Sequence, residues 1–170
     1  PPRSTRLRCR ALCRSKSAED DQAVGQAQAA DKAFAAWAKR SLHAHKVPGY
    51  RAVWVSLKPQ GIPPGDVTDR QMDALADLAD QYSFGEIRVT HSQNLILADV
   101  RADALYEVWQ ALDALNLATP NIGKASDIIC CPGLDFCSLA NASSISVADT
   151  IYAKIEDYDY LYDIGDRSEE

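Results

Sequence analysis

The segment Gly85-Glu-Ile-Arg-Val-Thr-His-Ser-Gln-Asn-Leu-Ile-Leu97 limits the fold more than any other part of the chain. Ile87 and Val89 alternate with Arg88 and Thr90, the period of a strand with one apolar and one polar face. His91–Asn94 makes the turn and Leu95-Ile-Leu97 returns. Before it, Thr68 and Gln71 form a capping-box signature, and Met72, Leu75, Ala76 and Ala79 give the helix that follows an apolar face. After it, Leu105, Val108, Trp109 and Leu112 mark another helix. Upstream, residues 50–57 (Tyr-Arg-Ala-Val-Trp-Val-Ser-Leu) read as a strand, and Pro59–Gly65, with three prolines and two glycines, as a loop. The order strand, helix, strand, strand, helix is most of a ferredoxin-like α+β unit, with helices on one face of an antiparallel sheet. Arg88 and Thr90 on the other face invite an anionic ligand; a merely solvated sheet face is the alternative.

The flanks are less regular. Ala30, Ala33, Phe34 and Trp37 share one helical face, and that segment ends by Lys46, Pro48 and Gly49. Residues 1–28 read as a disordered leader. Its first 16 residues hold six cations and no acid, and its second part is rich in Gln and Ala. Without that head the rest of the chain has a net charge of −12, and residues 156–170 carry seven acids against Arg167. The overall charge of −6 does not suit a nucleic-acid binder, and no apolar run approaches the ~18–20 residues of a membrane span. A chain that begins with Pro1 and has Met72 as its one methionine is expected to be a piece of something longer, or a processed product.

There are five cysteines: Cys9, Cys13, Cys130, Cys131 and Cys137. An odd count without an apolar signal segment points to the reducing cytoplasm, where clustered thiols serve metal or redox chemistry. Cys9 and Cys13, with no His or acid beside them, are incidental thiols. After Leu117 the chain changes character. Asp127-Ile-Ile reads as a short strand, Cys130-Cys-Pro-Gly-Leu-Asp-Phe-Cys137 as a loop, and the rest as a Ser- and Ala-rich helix with Ala148, Ile151, Tyr152 and Ile155 in line. Pro132 and Gly133 let Cys131 and Cys137 face one point and let backbone approach a cofactor. Cys137 is expected at the start of the helix, where the dipole favours thiolate. Two thiols do not complete a zinc or iron–sulfur site, and His43, His45 and His91 do not obviously help. A buried structural cysteine pair is the alternative.

Residues from about 30 to 165 resemble the second half of siroheme-dependent nitrite/sulfite reductases. Three stretches carry the resemblance, in the family's order and spacing. They are His45-Lys-Val-Pro-Gly-Tyr50 leading into Val55-Ser-Leu-Lys58, the Gly85–Leu97 segment, and Asp127-Ile-Ile-Cys-Cys-Pro-Gly-Leu-Asp-Phe-Cys-Ser-Leu-Ala140. The resemblance implies siroheme coupled to a 4Fe–4S cluster, and six-electron reduction of sulfite to sulfide or nitrite to ammonia. Ferredoxin or a flavoprotein would supply the electrons, and the substrate is a small anion. It makes Cys131 and Cys137, as C-x5-C, the first two cluster ligands and leaves Cys130 uncounted. It makes Arg88, Thr90, Gln93 and Asn94 the candidates to line siroheme, whose carboxylates suit an Arg. The implied division is a leader at 1–28, a half-domain at 29–118 and the start of a siroheme/4Fe–4S domain at 119–170.

The family's second cysteine pair, C-x3-C, and its first half-domain are not in this sequence. The chain alone is therefore expected to be inactive and to need the remaining half of the reductase as a partner. The Arg-rich head and Arg167-Ser-Glu-Glu170 do not resemble the family. An orphaned half-domain with its cofactor-facing sheet uncovered is expected to self-associate. A non-catalytic ferredoxin-like binding module with structural cysteines is the competing reading, and a zinc-binding structural domain ranks below it.

Overall fold

The computed structural model describes residues 17–162. Two helices open it, α1 (Ser17–Ala30) and α2 (Lys32–Ser41). Strands β1 (Leu42–Ala44) and β2 (Tyr50–Val55) follow, then helix α3 (Asp69–Tyr82). Strands β3 (Ile87–Val89) and β4 (Leu95–Arg101) lead through a 3-10 turn into helix α4 (Leu105–Ala114). A second 3-10 turn (Gly133–Asp135) precedes helix α5 (Ser144–Tyr162).

The sheet has the order β1-β2-β4-β3, with each neighbouring pair antiparallel. β2 and β3 thus run the same way with β4 between them, and α3 makes the crossover, the split βαβ of a ferredoxin-like unit. The fourth position, beside β2, is filled by the upstream strand β1. The expected α+β architecture is therefore present, with one strand more than the sequence pattern showed. The chain does not continue as helix to Lys46. Leu42 turns to extended backbone (φ −96°, ψ 121°), and Leu42, His43 and Ala44 pair with Val53, Ala52 and Arg51.

The register sorts the two faces. Val53 and Val55 lie opposite Leu97 and Leu95 and are buried with Val100 under the helices. α3 contributes Leu75 and Ala79; α4 contributes Leu105, Val108, Trp109 and Leu112; α2 contributes Phe34 and Trp37. Phe34 meets Tyr106 and Trp109 edge-on, with ring centroids 5.2 and 5.5 Å apart. Each of these large side chains contributes about 1.5–3 kcal/mol by leaving water. On the opposite face Trp54 lies across from Ile96, and Ile96 across from Arg88. His43 sits 5.1 Å from the Trp54 ring.

Three expectations change. Residues 17–28 are helical rather than part of a disordered leader, because Val24 and Ala27 pack on the core and give α1 something to bury. The basic residues 1–16, with Cys9 and Cys13, and the segment Arg167–Glu170 lie outside the described residues. Asp127-Ile-Ile is not a strand; Asp127 spends its hydrogen bonds on side chains and turns instead. The strand expected over 50–57 stops at Val55. Beyond it the Leu57 amide finds a side-chain partner, the Asn94 Oδ1 at 3.2 Å, in place of a neighbouring strand. No helix among the described residues is long and apolar enough to cross a membrane.

Candidate functional site

The turn between β3 and β4 organises the site. Thr90 N–H donates to the Asn94 carbonyl at 3.0 Å, and the Thr90 hydroxyl accepts from the Asn94 N–H at 3.0 Å. Gln93 has φ +56°, in the left-handed region that non-glycine residues rarely enter. That turn carries its amide across to the cysteine segment. Gln93 Nε2 donates to the Cys130 carbonyl at 2.7 Å, and Gln93 Oε1 accepts from the Cys130 N–H at 2.8 Å. Asn94 is fully buried, and its Nδ2 donates to Asp127 Oδ1 at 3.0 Å.

Asp127 is the second anchor. Lys58 Nζ donates to its Oδ1 at 2.7 Å and to its main-chain carbonyl at 3.3 Å. Gly123 N–H donates to its Oδ2 at 3.0 Å. The Asn121 amide donates to the Lys58 carbonyl at 2.9 Å. Lys58 and Asp127 form an ion pair whose side chains are 2% and 9% exposed. Buried charges persist only when paired and hydrogen-bonded, as these are. Gln93 and Asn94 of the turn, with Lys58 three residues beyond β2, thus hold the chain at Asp127 and again at Cys130.

The thiols that follow differ from one another. Cys130 is buried and its Sγ turns to the Cys131 carbonyl at 3.2 Å. Burial, with the neighbouring Cys131, Asp149 and Asp135 adding to it, pushes the Cys130 thiol up. Cys131 is exposed and Cys137 half-buried, and neither is in a disulfide. Cys137 is not at a helix start: α5 begins at Ser144, and the Cys137 N–H is already used by the Gly133 carbonyl at 2.9 Å. Gly133 is required here by a local contact. Its φ is +60°, and a Cβ there would meet the Ala142 carbonyl oxygen at 2.5 Å and the Ser144 nitrogen at 2.9 Å. The glycine lets the thiol loop lie against its own backbone ahead of α5.

The four residues expected to line a cofactor part company. Gln93 and Asn94 face the cysteine segment, and Thr90 bonds within its own turn. Arg88 stands on the open face, where its Nε donates to Glu86 at 2.6 Å. A cleft of about 430 Å³ opens beside Thr90 and Gln93, walled by Pro63, Val67, Val89 and Phe136. Among the described residues, Asp66 is the one charged residue on its walls. That lining does not fit a carboxylate-rich macrocycle, so of the four only Arg88 has the charge such a group needs. For a cluster, Cys131 and Cys137 would supply two of four corners, and the described residues bring together no group of three or more His, Cys, Asp or Glu.

Lys58, Asp127 and Asn121 were not among the sequence candidates. A signal for two of them existed: Lys58 and Asp127 are opposite charges set in two apolar stretches, Val55-Ser-Leu-Lys58 and Asp127-Ile-Ile. Exposed apolar surface is found both on and off the sheet. It lies on the cysteine segment and α5, at Ile129, Phe136, Leu139 and Val147, and on the sheet at Val89 of β3, whereas Trp54 and Ile96 are half-buried.

Residues 52–115 match the model of the nitrite/sulfite reductase ferredoxin-like half domain. The chain is 33% identical over 102 residues to "Sulfite reductase [ferredoxin] 2" of Mycolicibacterium paratuberculosis, covering 59% of this chain and 18% of that protein. It is 40% identical over 77 residues to "Assimilatory ferredoxin-dependent nitrite reductase" of Haloferax mediterranei, covering 45% and 13%. It is 30% identical over 148 residues to "Ferredoxin--nitrite reductase" of Synechococcus elongatus, covering 79% and 28%. The chain spans at most 28% of the length of these relatives. Residues 52–115, built on the split βαβ sheet described above, are thus a ferredoxin-like half domain of the nitrite/sulfite reductase kind.

Proposed function

We propose that this chain is a segment of a siroheme and 4Fe–4S oxidoreductase that reduces sulfite to sulfide or nitrite to ammonia. The observation that carries the reading is the fastening of the Cys131/Cys137 loop to the half-domain at Cys130 and Asp127. A loop built only to fill space has no use for an ion pair and a bidentate amide at its entry. The cofactors would carry the electron chemistry, while the protein supplies position and electrostatics. Six electrons would come from a donor such as ferredoxin or a flavoprotein, with protons from solvent and the substrate oxygens leaving as water. Cys131 and Cys137 would hold two corners of the cluster, and Arg88 would face siroheme carboxylates from the open sheet. The other two thiolates would come from the remaining half of the reductase, so the chain alone would be inactive. Such a protein would work in the cytoplasm, with neither nucleic acid nor membrane as a partner.

The test is the polypeptide of the complete gene, reconstituted anaerobically with iron, sulfide and siroheme. Cys131→Ser and Cys137→Ser should each abolish the cluster's electron paramagnetic resonance signal. A wild-type signal that survives both changes would sink the reading. The absence of a third ligand among the described residues favours the second reading, a non-catalytic binding module with structural cysteines. In that case both serine variants leave ligand binding untouched.

A further inference from the structure

We propose that Gln93 is a positioning residue that sets the geometry of the Cys131/Cys137 thiol pair through the backbone of Cys130. The inference rests on the cluster reading above and deepens it. One side-chain amide satisfies both main-chain groups of Cys130, donating to its carbonyl at 2.7 Å and accepting from its N–H at 2.8 Å. That is the pair of bonds a neighbouring strand would make, delivered by a single side chain. It fixes where residue 130 sits and how its peptide planes lie. The Cys130 Sγ is turned inward to the Cys131 carbonyl, and Cys131 is left exposed at the next position.

The amide is itself held. The residue's φ of +56° aims it, and a Cβ on Gly65 would come within 3.2 Å of the Gln93 Cβ, so the side chain has a close wall. Three residues upstream Asp127 is tied to Lys58 and Asn94, so the approach to Cys131 is fixed at two points. The far end of the loop is closed by Leu134 N–H on the Ala142 carbonyl at 3.1 Å and Cys137 N–H on the Gly133 carbonyl at 2.9 Å. A pair of thiols on a loop held at both ends chelates a soft cation with less ordering cost than a free loop. Partners that orient ligands in this way are worth about 10–100-fold in metal affinity.

The test uses the chain in reduced form and Cd²⁺ alone, followed by the ultraviolet thiolate-to-metal absorption. Gln93→Asn keeps the amide chemistry and suits a positive φ, but is one methylene too short to reach Cys130. It should weaken Cd²⁺ binding by about tenfold or more, and should speed amide exchange at Cys130. Gln93→Glu keeps the acceptor for the Cys130 N–H and loses the donor to its carbonyl, so its affinity should fall between. Thermal melting separates this from a merely structural role, which would lower the midpoint and leave the folded protein's Cd²⁺ affinity unchanged. If Gln93→Asn binds Cd²⁺ within about twofold of the wild type, against the tenfold expected, the proposal is overturned while the cluster reading stands. Should Gln93→Asn not fold, an unweakened Gln93→Glu overturns it equally. If the wild type binds Cd²⁺ no better than Cys137→Ser, the two thiols do not converge, and the cluster reading fails together with the proposal.

Discussion

Replacing Asp127 with alanine removes the carboxylate from a buried ammonium. In the native chain Lys58 Nζ has Asp127 Oδ1 at 2.7 Å and, as its other partner on that residue, the main-chain carbonyl at 3.3 Å. After Asp127→Ala only the longer of these bonds survives, around a side chain that is 2% exposed. Breaking a buried pair in this way costs about 3–5 kcal/mol. In a domain of this size each kcal/mol is about 2–4 °C, so the melting midpoint should fall by about 6–20 °C. The reverse deletion is milder. Lys58→Met leaves the carboxylate with the Asn94 amide and the Gly123 N–H, each at 3.0 Å, and should cost about 1–3 kcal/mol. The double variant Lys58→Met/Asp127→Leu should be more stable than Asp127→Ala alone, because no charge remains to be buried. Urea denaturation of the three variants, fitted with a common slope, measures all three differences. If Lys58→Met costs as much as Asp127→Ala, or if neither exceeds about 0.5 kcal/mol, the pair is not the buried anchor described here.

Other outcomes follow from the same structure. Leu75→Ala, at a fully buried position of α3 facing the sheet, should lose about 2–5 kcal/mol by urea denaturation. Iodoacetamide at neutral pH, read by mass spectrometry, should label Cys131 well ahead of Cys130, whose burial pushes its thiol up from the usual 9.0. His43 is held below the usual 6.5, mainly by desolvation beside Trp54, with a bond to the Arg40 carbonyl opposing the shift. The folded state therefore takes up that proton less readily than the unfolded chain. The contribution of His43 is complete above pH 6.5 and is lost as pH falls through the lowered value, so His43→Gln should flatten the stability profile on the acid side.

The sheet was legible because its signals are local. Alternation at Ile87–Thr90, the capping box at Thr68 and Gln71, and the apolar face of α4 each need only a short window of sequence. The capping box forms as read, with the Gln71 N–H on the Thr68 hydroxyl at 3.2 Å and the Thr68 N–H on Gln71 Oε1 at 2.9 Å. β1 was hidden because three residues with one half-buried and two exposed side chains carry no apolar pattern; their partner on β2 makes them a strand. α1 was hidden for a similar reason. Its Gln- and Ala-rich sequence has little amphipathic character; Val24 and Ala27 are the α1 side chains seen to meet the core among the described residues. The thiol loop was legible as a motif but not as a geometry. Nothing in the spacing of Cys131 and Cys137 tells that Gly133 is needed for contact with Ala142 and Ser144, or that the helix waits until Ser144.

The candidate cofactor residues show where pattern reading stops. Alternation assigns side chains to faces of a strand, and it placed Arg88 on the open face as the structure has it. Thr90, Gln93 and Asn94 lie past the end of β3, where alternation no longer governs direction. There the deciding force is the need of buried polar groups for partners. The Thr90 hydroxyl closes the turn, the positive φ of Gln93 throws its amide toward Cys130, and Asn94 bridges the Leu57 N–H and the Asp127 carboxylate. Each is long-range or conformational, and none is visible as a period. A one-residue insertion in this turn would leave the strands able to pair but separate Gln93 and Asn94 from their partners together. The half-domain could then still form its core, while the thiol loop would lose its fastening at Cys130 and keep only the Lys58–Asp127 ion pair.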